Sequence, residues 1–141
     1  MGIEIRNYQD ETDFERVTQL WLACGPGVQL SRSDDHAELR KKAEFAPDLF
    51  LVAEEHGSIV GTVIGGYDGR RGLVYHLAVV SRLRSGGIGS ALMLELETRL
   101  RDRGCLKCYL LVTKDNPGGL SFYRNQGWEV MDIHLLGKEL Q

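Results

Sequence analysis

The chain has 141 residues, 43% hydrophobic and 26% charged, with a formal net charge of −3. A chain this long buries roughly two thirds of its unfolded surface, enough for one core without staples. No Lys/Arg block exceeds Arg40-Lys41-Lys42, and no apolar run nears the roughly 18 residues of a membrane span, so neither a nucleic-acid partner nor a membrane one is expected.

The amino terminus, Met1 to Arg6, lacks the basic and apolar regions of a signal peptide, and Arg6 stands where a myristoylation signal wants Ser or Thr. A cytoplasmic location is expected. Ile3–Asn7 reads as a first strand. Over Asp10–Cys24, Phe14, Val17, Leu20 and Trp21 recur at helical spacing, with Asp10 as N-cap and Gly25-Pro26-Gly27 as the stop. Ser33–Phe45 reads as a second, polar helix ended by Pro47. The period then changes. Leu49–His56, Ile59–Tyr67 and Leu73–Val80 read as three consecutive antiparallel strands joined by tight turns. Gly65-Gly66 predicts a bulge or a close backbone approach. In the third strand, alternation places Leu73, Tyr75, Leu77 and Val79 on one face and Val74, His76 and Ala78 on the other.

A long helix follows, roughly Gly87–Arg103, with Ile88, Leu92, Leu96 and Leu100 in one stripe. Cys105-Leu-Lys-Cys108 has C-x-x-C spacing. It enters a strand instead of opening a helix, and two more zinc ligands at similar spacing are lacking, so it reads as two ordinary thiols and no metal is expected. Leu106–Val112 is a fifth strand, Leu120–Gln126 a short helix, and Trp128–Asp132 and Ile133–Glu139 two closing strands. The order β-α-α-β-β-β-α-β-α-β-β predicts a mixed, mostly antiparallel α/β sheet with helices on both faces.

Arg84-Ser85-Gly86-Gly87-Ile88-Gly89-Ser90 lies between a buried strand and a long helix. Glycines free backbone N–H groups to face a ligand, the helix start adds partial positive charge, and Arg84 adds a cation, which together suit a phosphate or pyrophosphate. A plain connecting turn is the alternative. The segment lacks the Gly-Lys-Ser/Thr of a P-loop, and Leu92 stands where a dinucleotide fingerprint needs its third small residue.

Arg84-Ser-Gly-Gly87-Ile-Gly89 resembles the Arg/Gln-x-x-Gly-x-Gly/Ala motif of the GCN5-related N-acetyltransferases. Leu77-Ala78-Val79 upstream fits the same family, and so does Asn116-Pro-Gly-Gly-Leu-Ser-Phe122-Tyr123-Arg-Asn-Gln-Gly127-Trp128 downstream. Gly66–Gly69 with Arg71-Gly72 looks like the YpeA-like bacterial subgroup. Ser85 replaces a commoner glycine, Val80-Ser81 a usual polar-Pro pair, and Gly119 a usual alanine, so the last helix is expected to start late.

The resemblance implies one N-acetyltransferase domain over residues 1–141 that moves an acetyl group from acetyl-CoA to a primary amine by direct attack. It implies that the Arg84–Ser90 backbone, with Arg84, Ser85, Gly86, Gly87, Ile88, Gly89 and Ser90, holds the CoA pyrophosphate. The Leu77, Ala78 and Val79 backbone would pair with the pantetheine arm, Asn116 would touch CoA, and Tyr123 would give a proton to the leaving thiolate. The base stays open: Tyr75 through a water relay, Glu54, His76 on the face opposite Tyr75, or a water chain. The acceptor is a small-molecule or a peptide or protein amine. A closing hairpin with only Asp132 between its strands would leave the cleft open and favour the latter. A homodimer is a candidate assembly. The alternatives are a non-catalytic acyl-CoA sensor or interaction module and, last, a nucleotide-phosphate domain.

Overall fold

The computed structural model describes residues 2–25 and 28–140. Strand β1 (Ile3–Asn7) leads to helices α1 (Asp10–Ala23) and α2 (His36–Phe45), then strands β2 (Phe50–Glu55), β3 (Ser58–Tyr67) and β4 (Gly72–Val79). Helix α3 (Ile88–Asp102), strand β5 (Cys108–Leu110) and helix α4 (Pro117–Asn125) follow. The sheet order is β1-β2-β3-β4-β5, antiparallel except for the β4–β5 pair, which is parallel. This is the mixed, mostly antiparallel α/β class expected.

Period-two alternation divides the core between the two sheet faces. Leu51 and Ala53 of β2 pack with Leu92, Met93 and Leu96 of α3. Phe50 and Val52 pack with Val17 and Trp21 of α1 and Leu39 of α2. Burial of each such large side chain contributes about 1.5–3 kcal/mol. Gly65 provides the close approach anticipated there: a Cβ on it would lie 2.8 Å from Leu96 Cδ1.

Helix α1 is held to the sheet by a buried carboxylate. Asp13 Oδ2 accepts from Arg6 Nη1 at 2.7 Å and from the Gln9 N–H at 2.8 Å, and Oδ1 accepts from Arg16 Nη2 at 2.7 Å. Gln9, not Asp10, is therefore the N-cap. Pro26 and Gly27, part of the stop expected after this helix, lie outside the described residues.

The second helix starts later than Ser33. Ser31 caps a 3-10 turn over Arg32–Asp34 in a reciprocal capping box with Asp34, and Asp35 is extended, so α2 begins at His36. Helix α4 starts earlier than Leu120, because Asn116 caps it and Pro117 suits a first turn. Strand β5 keeps three of the seven residues expected.

The two closing strands, Trp128–Asp132 and Ile133–Glu139, do not form among the described residues; 128–140 is irregular and mostly exposed. A tight hairpin needs two central turn residues able to take positive φ, and Asp132 alone does not supply them. A three-residue β5 is also a short edge on which to build further strands.

Candidate active site

β4 and β5 pair only over Gly72–Val74 and Cys108–Leu110. Beyond Val74 the pairing ends, and among the described residues no strand pairs with that side of β4 from Tyr75 to Val79. Unpaired backbone N–H and C=O groups on such an edge are available to an amide-bearing chain. Leu77, Ala78 and Val79 occupy this open stretch.

The alternation expected for β4 is broken at its centre. Between the pairs Thr62↔Ala78 and Ile64↔Tyr75 the register shifts, so His76 and Leu77 together oppose Val63. His76 takes φ +53°, a conformation that an L residue keeps only when its surroundings hold it. The holding contacts are buried. Trp21 Nε1 donates to Thr62 Oγ1 at 2.9 Å, and Thr62 Oγ1 donates to the His76 carbonyl at 3.1 Å.

The bulge re-sorts the side chains. Leu77 and Val79 pack with Val74 on the α3 face, whereas Tyr75 and Ala78 pack on the α1–α2 face. His76 also lies on the α1–α2 side. Its ring meets the Trp21 ring edge-on at 4.8 Å, and its Nε2 is 2.8 Å from Asp34 Oδ1. The expectation that Tyr75 and His76 face opposite ways is thus corrected. Both line a cavity of about 190 Å3 with Asp34, Leu39 and Ile64.

Tyr123 lies on the other face. It joins Leu77, Val79 and Trp128 against the α3 cluster, with the Trp128 ring edge-on at 6.3 Å. Burial pushes its phenol up to about 12, which keeps the hydroxyl protonated at neutral pH. Tyr123 thus packs on the α3 face of the sheet, and Tyr75 and His76 lie on the α1–α2 face.

The segment before α3 has the backbone its sequence suggested. Gly87 is the N-cap at φ +91° and Ser85 sits at φ +68°. The first helical N–H groups, from Ile88 to Ser90, lack helical acceptors by construction and carry the positive end of the dipole. Arg84 Nε donates to the Val79 carbonyl at 3.2 Å, and Gly86 N–H to the Leu83 carbonyl at 3.2 Å. Ser90 Oγ accepts from Gln126 Nε2 at 3.0 Å, tying α3 to the end of α4. A groove of about 560 Å3 between α1 and residues 80–84 has Arg16, Arg82 and Arg84 on its wall.

Asn116 is placed as a cap. Its Oδ1 accepts from the Gly119 N–H at 3.0 Å, and a Cβ at Gly119 would lie 2.5 Å from Asn116 Nδ2. Glycine at this usually alanine position is thus matched to the cap. Thermal melts of a double-mutant cycle test the match. Asn116→Ala is expected to cost about 1 kcal/mol. Gly119→Ala should gain nothing in the native background, where it displaces the cap. In the Asn116→Ala background it should stabilise by up to about 1 kcal/mol. Equal effects in both backgrounds would mean that the two side chains do not compete.

Glu54 stands apart from the open β4 edge. Its Oε1 accepts from Arg6 Nε at 2.8 Å, in the ion-pair cluster that includes Asp13, and it lines neither cavity. Asp34 is the residue that sequence reading passed over. Its sequence trace was the Ser31-x-x-Asp34 capping spacing, which predicts a turn and does not predict contact with a strand residue 42 positions away.

Residues 14–128 match the model of the Acetyltransferase (GNAT) family. The chain belongs to this family. An acetyltransferase of Pectobacterium atrosepticum is 43% identical over 138 residues, 98% of this chain and 96% of that protein. One of Yersinia enterocolitica is 41% identical with the same coverage. Among solved structures, Ard1 of Thermoplasma volcanium superposes with a TM-score of 0.80 at 26% identity, covering 93% of this chain and 85% of that one. The PaiA N-acetyltransferase of Thermoplasma acidophilum, solved with coenzyme A, shares the fold with a TM-score of 0.82 at 24% identity, over 95% and 94% of the two chains. The protein is a GNAT acetyltransferase. Among the described residues of this acetyltransferase, no helix is long and apolar enough to cross a membrane.

Proposed function

We propose that this GNAT acetyltransferase moves an acetyl group from acetyl-CoA to a primary amine by direct attack on the thioester. The observation that carries the reading is the gap beyond Val74, where an unpaired β4 edge runs toward the positive start of α3. An extended pantetheine amide chain pairs with that edge, and the pyrophosphate sits at the Ile88–Ser90 N–H groups with Arg84 beside it. The thioester then crosses the gap: Tyr123 meets its sulfur on the α3–α4 side, and the amine arrives from the α1–α2 side. The coenzyme A bound by the PaiA enzyme of the same fold is consistent with this donor.

A direct mechanism is supported by the two thiols of the C-x-x-C pair. Burial pushes Cys108 up to about 11, so it is hardly ionised at neutral pH, and Cys105 is buried. Neither suits an acyl-enzyme.

Release of CoA thiol, measured across a panel of primary amines, tests the reading; acetyl-CoA binding without turnover on any amine would refute it. Within it, Arg84→Ala removes a charge-assisted contact to phosphate and is expected to raise the acetyl-CoA KM about tenfold, with kcat changed little. The effect should shrink in high salt. Loss of kcat at unchanged KM would instead place Arg84 in the chemical step.

A further inference from the structure

The cavity beside the β4 bulge has a composition that neither the family match nor the donor site explains. It is lined by Tyr75 and His76, the first residues of β4 after the last one paired with β5, Val74. Its walls are apolar at Leu39, Ile64 and Tyr75, and it carries one nearly buried Asp34–His76 contact. The Asp34 side chain is 9% exposed and the His76 side chain 14%. From the reading above, we infer that this cavity is the acceptor site, that Asp34 holds the acceptor's ammonium, and that His76 takes its proton. The chemical class is a primary amine on a short unbranched aliphatic arm, whether free or carried as a lysine side chain.

The atoms of the pair fit those duties. Asp34 Oδ1 faces His76 Nε2, and Oδ2 accepts from the Ser31 N–H at 3.0 Å. A carboxylate offers about four acceptor positions, so capacity remains for an ammonium. With Nε2 turned to a carboxylate that only accepts, the neutral imidazole would carry its proton on Nε2 and its lone pair on Nδ1. The groups facing His76 are Asp34 from the 31–34 turn, Tyr75 from its own strand, and the uncharged Trp21 from α1. Lys42 of α2 lines the same cavity, its pKa lowered by burial and by Arg103. The left-handed backbone at His76 is maintained by the Trp21–Thr62 chain, and strain of this kind persists where a side chain must be re-aimed.

Size narrows the acceptor. About 190 Å3 is roughly six times the share of one liquid water and below the usual range for pockets that hold whole drug-sized ligands. Only the reactive arm enters. The methylenes lie against Leu39, Ile64 and the Tyr75 ring while the ammonium reaches Asp34.

The step balances as follows. The ammonium gives one proton to His76, which passes it to solvent. The free amine nitrogen bonds to the thioester carbonyl carbon and the C–S bond breaks. The thiolate takes the Tyr123 proton, and the second N–H proton of the new amide nitrogen restores the phenol. The products are the amide, CoA thiol and one proton.

Full-length wild type, Asp34→Asn, His76→Gln and Ser33→Trp are assayed for CoA release with n-pentylamine and with Nα-acetyl-lysine methylamide, alongside acetyl-CoA binding and thermal melts. Asp34→Asn is expected to raise the acceptor KM about tenfold, the loss of one charge-assisted contact, with acetyl-CoA affinity unchanged. His76→Gln is expected to lower kcat about 100-fold at pH 7. That deficit should close to within about fivefold near pH 10, where an alkylamine of pKa about 10.4 sheds its own proton. Tyr123, pushed up to about 12, stays protonated throughout this range. Ser33 is exposed on the cavity wall, so Ser33→Trp blocks the arm without disturbing the core and should raise acceptor KM alone. A pH-independent His76→Gln deficit, or wild-type KM values in Asp34→Asn and Ser33→Trp, overturns the assignment while leaving the transferase reading standing. A wild type that binds acetyl-CoA yet releases no CoA with either probe or any amine of the wider panel removes the transferase reading and this site with it.

Discussion

Tyr123→Phe is expected to lower kcat about 100-fold, the usual scale for losing one general acid, with the acetyl-CoA KM within about twofold and an unchanged melting temperature. The ring keeps its contacts with Phe122, Trp128 and the α3 cluster, so only the hydroxyl is lost. In the proposed reaction the leaving thiolate has an ordinary pKa of about 8.5, and charge builds on its sulfur. A protonated phenol at that sulfur would stabilise the charge and deliver a proton as the C–S bond breaks. Burial raises the Tyr123 pKa to about 12, and the acid form is the working form. Its contribution is therefore constant through pH 10, where an ordinary phenol would be half ionised. The wild-type profile should show no alkaline loss between pH 8 and 10 that disappears in Tyr123→Phe. Turnover of the variant within twofold of wild type would leave the hydroxyl without a part in the reaction.

The backbone proposed to hold the donor is local, and its conformation was legible in the sequence. Arg84 through Gly89 is a contiguous run whose duties, positive φ at Gly87 and open N–H groups at a helix start, are backbone properties that residue types announce. The Asp34–His76 contact was not, because it is assembled across the fold. Period-two alternation placed His76 opposite Tyr75, and only the Thr62 hydroxyl on its carbonyl, with Trp21 behind it, shows why the period fails there. By sequence Asp34 falls inside the expected helix Ser33–Phe45; in the structure it closes the capping box with Ser31, and the same carboxylate reaches β4. Elements behaved alike. Strands β2 and β3 and helix α3, set by runs of buried apolar residues, appeared close to where periodicity put them. Trp128–Glu139 carries the apolar content of strands without a turn to join them or a long edge to pair with.

Asp13→Ala is expected to cost about 3 kcal/mol, the low end of the range for breaking a buried ion pair, or about 10 °C in Tm for a chain of this size. The Asp13 side chain is fully buried and takes both arms of the Arg6 guanidinium at 2.7 and 3.1 Å, with Arg16 and the Gln9 N–H completing its partners. Removal leaves the Gln9 N–H unpaired at the helix start and strips Arg6, 19% exposed, of its better partner. Glu54 still holds Arg6, which is why the low end of the range applies. The pH dependence has a fixed sign. Burial alone would raise the Asp13 pKa, but the hydrogen bonds from Arg6 and Gln9 outweigh it and the net shift is downward. A carboxylate depressed in the fold contributes stability above its unfolded value of about 3.9 and loses it as pH falls through the folded value. The Tm gap between wild type and the near-isosteric Asp13→Asn should therefore be full at pH 7 and narrow below about pH 4. A gap that stays constant to pH 2 would assign the loss to packing alone and remove the ion pair from the account of how α1 is held to β1.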